Sequence, residues 1–211
     1  MVIGLLVAAA VLLLALTVAV RFSRLDRLDL GLLQAFHLDS QGSVRSRPGR
    51  IDLLMRDLTA LGGDTVLTIV GIGIVSAALI AGHPELAASF ALSGFGGRAM
   101  GGGVKMILRR PRPEVLPNAL RTFSSSFPSV HAIVSVVLYG WCGATLAWLA
   151  PPYAFWLVMG FSATVIVGIG LSRLYHAVHW PSDVLAGWLI GTIWLIGCLK
   201  LASPAILHAG F

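Results

Sequence analysis

The sequence is poor in charge. Asp, Glu, Lys and Arg make up 11% of its 211 residues, where a soluble domain of this size carries roughly a quarter. Cysteine is nearly absent. Cys142 and Cys198 each stand within an apolar run, which argues against a disulfide or metal pair and leaves two small core residues. Acids thin out along the chain, and after Glu85 only Glu114 and Asp183 remain. No contiguous basic stripe exists outside Arg109-Arg110-Pro111-Arg112, so the formal net charge of +6 does not describe a nucleic-acid-binding surface. What fills the space is apolar: 57% of residues are hydrophobic and the mean hydropathy is +0.88. That balance predicts an integral membrane protein, read as one domain over residues 1–211.

Six apolar segments of bilayer-spanning length are legible, at roughly 2–20, 66–82, 86–108, 131–149, 154–171 and 184–202. The first lacks a basic leading region and is too long for a cleaved signal, so it reads as a retained helix. The expected fold is therefore all-α and polytopic, with six transmembrane helices. The connections alternate in character. His83-Pro84-Glu85 and Pro151-Pro152-Tyr153 are tight and almost uncharged. The loop at about 21–65 is long, with a Ser-, Gly- and Arg-rich stretch from Asp39 to Arg50. After it, Ile51, Leu53, Leu54, Leu58 and Leu61 recur at helical spacing among Asp52, Arg56 and Asp57. That pattern predicts an amphipathic helix along the interface.

Segment parity sends the loops after segments one, three and five to one face, opposite both termini. The charged clusters of the second half lie there. Lys105 is followed by Arg112-Pro113, then by Pro128-Ser129-Val130-His131, then by Ser172-Arg173, His179 and Asp183. Arg109 and Arg110, taken singly, read as interfacial anchors. The glycine-rich run Gly94 to Gly103 loosely fits a dinucleotide fingerprint, but no strand precedes it and no acid follows at the required distance. It reads as a small-residue face for close helix packing in lipid.

Three cations, two histidines and one carboxylate at one membrane face suit phosphate chemistry. A transferring phosphoryl group spreads charge over its oxygens and is held by fixed donors, best of all guanidinium. Arg112 and Arg173 fit that role, with Lys105 as a point charge. Pro128 and Pro181 stand where helices should begin, which would aim two helix N-termini at one anion pocket, with the Ser129 hydroxyl and the Val130 amide beside it. His179 precedes Asp183 by four residues, so the carboxylate can fix its tautomer and leave a competent nucleophile. His131 is then the acid for the leaving alkoxide. His176 reads as a polar neighbour of the site. His37, His83 and His208 lie away from the cluster and receive no role. No histidine spacing fits a closed metal site.

The three motifs Lys-x6-Arg-Pro, Pro-Ser-x-His and Ser-Arg-x5-His-x3-Asp, in this order, resemble those of the type 2 phosphatidic acid phosphatase superfamily of membrane phosphatases. The resemblance covers about residues 50–200. One position departs: Val130 stands where the family commonly has Gly. The resemblance implies a phosphohistidine on His179, no metal or other cofactor, and a lipid phosphate or diphosphate as substrate. Substrates of that class include phosphatidate, phosphatidylglycerol phosphate and undecaprenyl diphosphate. It also implies a site on the extracytoplasmic face, although the Lys and Arg count by side favours the opposite orientation. A phosphotransferase of the same fold would use the same intermediate. An anionic-lipid transporter would explain the cations but not the His179–Asp183 pair.

Overall fold

The computed structural model describes residues 2–37, 49–115, 124–149 and 151–208, and their regular structure is entirely helical. In chain order the helices are α1 (Val2–Arg21), α2 (Asp26–His37), α3 (Gly49–Leu61), α4 (Asp64–Ile80), α5 (Pro84–Ile107), α6 (Val130–Leu149), α7 (Phe155–Tyr175) and α8 (Pro181–His208). Each of the six apolar segments is a helix, and the expected amphipathic segment is α3. Most of the Asp39–Arg50 stretch lies outside the described residues.

Among the described residues, three helical stretches are long and apolar enough to cross a bilayer: Val130–Ala147, Pro152–Tyr175 and Pro181–Ala202. Two bent pairs, α1 with α2 at 91° and α3 with α4 at 48°, raise the number to five if each pair is one span. α5 carries Glu85, Arg98 and Lys105, which dilute its hydropathy. Large apolar side chains face outward on these helices, among them Ile80, Phe95, Ile107, Trp156, Leu157 and Phe161. So broad an exposed apolar surface suits lipid rather than water.

α6 is the central helix, packed against α5, α7 and α8, and Ala132 through Leu138 are all buried. Glycine lets the neighbours approach. A Cβ at Gly187 of α8 would lie 2.7 Å from the Ser129 carbonyl, and one at Gly191 would lie 2.8 Å from that of Ile133. Backbone contact of this kind is how helices associate in lipid without a hydrophobic drive. The glycine-rich face of α5 behaves likewise: Gly97 meets Val137, and Gly101 meets Ile133 and Val130.

α2 was not legible in the sequence. Its buried residues Asp29, Leu33 and His37 recur every four positions, so one stripe faces the protein although two of its members are polar. Asp26 and Asp29 sit in its first turn, where they favour the helix dipole. α2 packs on α7 and α8. His37 bonds the Leu174 carbonyl through Nε2 at 2.8 Å. It therefore reaches the third motif, contrary to its sequence-based placement away from the cluster.

Candidate active site

The three motifs converge at one end of the bundle through short polar links. Lys105 is in the last turn of α5, and its Nζ donates to the Ser125 carbonyl at 2.9 Å. The chain then leaves the helix without regular structure, and residues 109–112 alternate between exposed and partly buried. Arg109 is exposed, whereas Arg110 and Arg112 are largely covered. The Arg110 amide donates to Ser125 Oγ at 3.1 Å, and the Ser126 amide to the Arg110 carbonyl at 2.9 Å. Arg112 ties the first motif to the third and to Ser124, in the segment that leads into the second. Its Nη1 donates to the Val178 carbonyl at 2.7 Å, and its Nη2 to Ser124 Oγ at 3.0 Å.

The second motif begins α6. Ser129, fully buried, caps the helix by accepting the Ala132 amide on Oγ at 3.5 Å, a contact that does not engage the hydroxyl proton. Its own amide donates to the Asp183 carbonyl at 3.0 Å, which fixes the starts of α6 and α8 side by side. Val130 fits because α5 has glycine opposite: a Cβ on Gly101 would stand 2.9 Å from Val130 Cγ2. His131 follows on the first turn, half-buried, beside the α3–α4 corner. A Cβ on Gly62 there would lie 3.5 Å from its ring.

The third motif straddles the end of α7. Ser172 and Arg173 are still helical, beyond the expected segment end at 171. Arg173 Nη1 donates to Thr59 Oγ1 of α3 at 2.7 Å. Its buried Nε has no hydrogen-bond partner among the described residues, and so keeps a donor in reserve. A turn through Ala177 (φ 49°) brings round His179, which is 2% exposed. His179 Nδ1 stands 3.5 Å from Asp183 Oδ2, longer than a formed hydrogen bond. The same carboxylate oxygen accepts the Trp180 amide at 2.8 Å, a reciprocal cap at the start of α8. Burial is the main influence on the His179 imidazole. It outweighs the neighbouring carboxylate and pushes the pKa down to about 4, so the ring is neutral at pH 7. Burial also depresses His176 and Arg112, the latter partly offset by Asp183.

The sequence-derived set is thus gathered in one place. His131 is in electrostatic range of His179, Arg173 and Lys105, and His179 is in range of Asp183, Arg173 and Arg112. Two expectations need correction. The N-terminus of α8 is not left open for a substrate anion, because the Ser182 amide donates to Asp29 Oδ1 at 3.0 Å. Nor is Arg110 an interfacial anchor. Its side chain is 8% exposed and bonds Asp183 Oδ1 at 2.9 Å, Asp29 Oδ2 at 2.7 Å and Asp26 Oδ1 at 2.9 Å. It also donates to Ser182 Oγ at 2.7 Å. Burial alone would lower its pKa, but the three carboxylates together raise it.

A groove enclosing about 490 Å³ runs between α4, α5 and α6. Its walls include Leu67, Val75, Phe90, Val134 and Leu138, and Asp64 and Arg98 form an ion pair within it. Val134 and Leu138 follow His131 at helical spacing, so the groove lies along the α6 face that carries that histidine.

This bundle, with three converging motifs at one end, has known counterparts. The model of the PAP2 superfamily matches residues 85–206, more than half of the chain. The chain belongs to the PAP2 superfamily. It is similar to an undecaprenyl-diphosphatase of Sulfolobus acidocaldarius, with 40% identity over 67 residues. That match covers 32% of this chain and 29% of the length of that relative. In fold it is similar to the crystal structure of a transmembrane PAP2-type phosphatidylglycerolphosphate phosphatase from Bacillus subtilis, with a TM-score of 0.82 at 21% identity. That likeness covers 94% of this chain and 96% of the other.

Proposed function

We propose that this protein is an integral membrane lipid phosphatase that hydrolyses a lipid phosphomonoester or diphosphate through a phosphohistidine. The observation that carries the reading is the neutral, buried His179 beside Asp183, within electrostatic range of Arg112 and Arg173. Family membership supports the reaction class, and the undecaprenyl-diphosphatase relative supports a lipid-linked phosphate. The apolar groove along the His131 face has room for a hydrocarbon chain.

Lys105, Arg112 and Arg173 hold the non-bridging oxygens, with the Ser129 hydroxyl and Val130 amide at the start of α6 completing the cradle. The unprotonated Nε2 of His179 attacks phosphorus. As the P–N bond forms, the P–O bond to the lipid breaks, and His131 gives its proton to the departing oxygen. A water molecule then attacks phosphorus, His131 takes its proton, and the P–N bond breaks to release phosphate. Asp183 holds the His179 tautomer and stabilises the positive charge that builds on the ring. Fixed cations supply the charge stabilisation for which other phosphatases use a metal.

The chain acts as a single six-span domain, with α1, α4, α5, α6, α7 and α8 as the spans and the site on the extracytoplasmic face. Phosphate release by purified protein from phosphatidate, phosphatidylglycerol phosphate and undecaprenyl diphosphate tests the reading. Release from at least one is expected, and no release from any would refute it.

A further inference from the structure

We infer that Arg110 is a positioning residue for the proposed reaction, a two-ended bridge that holds the Asp183 carboxylate against His179 by anchoring it to Asp29 of α2. The inference rests on the phosphohistidine reading, and it assigns a part to a residue and a helix that the mechanism does not use.

The geometry is specific. The two terminal nitrogens of the Arg110 guanidinium take different carboxylates, Nη1 that of Asp183 through Oδ1 at 2.9 Å and Nη2 that of Asp29 through Oδ2 at 2.7 Å. Asp183 is thereby divided by oxygen. Oδ1 belongs to Arg110, while Oδ2 faces His179 Nδ1 at 3.5 Å and takes the Trp180 amide. Rotation of the carboxylate would break one of these bonds. Asp29 in turn grips the first turn of α8 directly, through the Ser182 amide and hydroxyl. Both carboxylates and the guanidinium are buried, so each charge depends on the others for compensation. The Trp180 ring covers the guanidinium, with its centroid 5.4 Å from Cζ. Lysine could not make this bridge, because its single nitrogen lacks the planar fork.

The bridge also meters charge. Asp183 favours the imidazolium form of His179, and Arg110 draws on the same carboxylate and weakens that pull. Around His179 the charged groups are Asp183 from α8, Arg173 from α7 and Arg112 from the preceding loop, with His131 from α6 also in range. Around Asp183 they are Arg110, Arg112 and Lys105, and around Arg110 they are Asp26, Asp29 and Asp183. Removing Arg110 leaves Asp183 uncompensated on one side, so His179 should protonate more readily.

The test is the pH profile of Arg110→Gln on p-nitrophenyl phosphate, run beside the wild type in detergent. The acid limb of kcat should move to higher pH by about one unit, the order of a single charge at this range in a buried site. The kcat should fall about 10²-fold, with KM and vanadate inhibition within threefold of wild type. Arg110→Lys should bring the limb back to within half a unit while leaving kcat about tenfold low. A limb that stays in place or moves to lower pH in Arg110→Gln overturns the inference whatever happens to kcat, because simple loss of structure removes active molecules without shifting a titration. Should Arg110→Gln not accumulate in folded form, a wild-type kcat in Arg110→Lys overturns it instead. Acid-labile phosphate on His179 is measured in the same wild-type sample. Its absence would bring down the phosphohistidine reading and this inference with it, an outcome distinct from an unmoved limb.

Discussion

Asp29 accepts the backbone amide of Ser182 at 3.0 Å across 153 residues of sequence. One helix thus caps the N-terminus of another, next to the carboxylate that faces the proposed nucleophile. Asp29→Ala should leave that amide and one end of the Arg110 guanidinium without their partner in a buried setting. The expected loss is on the order of 2–3 kcal/mol, read as a lowered midpoint of thermal unfolding in detergent. An unchanged midpoint would mean that α2 does not fasten the site.

The acid limb of wild-type kcat/KM should lie nearer pH 4 than the 6.5 of a free imidazole. Burial lowers the folded-state pKa of His179 to about 4, so the nucleophile stays unprotonated well below neutrality. Between the unfolded value near 6.5 and that folded value, the unfolded chain binds the extra proton, and stability should therefore fall as pH drops through this window. A rate profile and an unfolding series from pH 7.5 to 3.5 check both statements. A limb centred near 6.5 would contradict the buried neutral state.

Gly101 and Val130 should behave as a pair. Gly101→Ala places a methyl group where Val130 Cγ2 and Ile133 Cδ1 both stand 2.9 Å away, so activity and unfolding midpoint should both drop. Adding Val130→Gly should recover part of the loss and not all of it, since Ile133 stays. Equal stability of the single and double variants would show that the two positions are not coupled.

The same physical features explain what could and could not be read from the sequence. The six apolar helices were legible because lipid demands long uniform runs. The boundary of α7 was not, because Ser172 and Arg173 are polar yet remain helical, both hydrogen-bonded to Thr59 of α3. α2 escaped notice because a buried stripe of Asp29, Leu33 and His37 carries one apolar residue in three. Its partners, Ser182 and the Leu174 carbonyl, are distant in the chain. Arg110 reads like Arg109 when each is taken singly, yet the sequence carries a signal that separates them. Pro111 holds the preceding residue extended, and extended backbone alternates its side chains. If Arg112 points inward, Arg110 does too. The motif residues themselves were legible by spacing, since the motifs sit at helix ends, the third bridging the end of α7 and the start of α8.

Glu85 lies in the first turn of α5 and Arg109 two residues past its last, and both are exposed. With Cys142 and Cys198 replaced by alanine, single cysteines at the two positions should be labelled by an impermeant maleimide from opposite sides of the membrane. Labelling of Arg109→Cys from outside intact cells would also support the extracytoplasmic site. Labelling of both from one side would remove α5 from the set of spans.

The most direct measurement is phosphate trapping. Wild-type protein mixed with labelled substrate and quenched should carry acid-labile phosphate on His179, located by mass spectrometry, in the presence of EDTA as in its absence. His179→Ala should carry none. His131→Ala should still form the adduct from p-nitrophenyl phosphate, whose leaving group departs without a proton, while losing roughly 10²–10⁴-fold on a lipid substrate. Phosphate on His131, or on no residue during rapid turnover, would contradict the account.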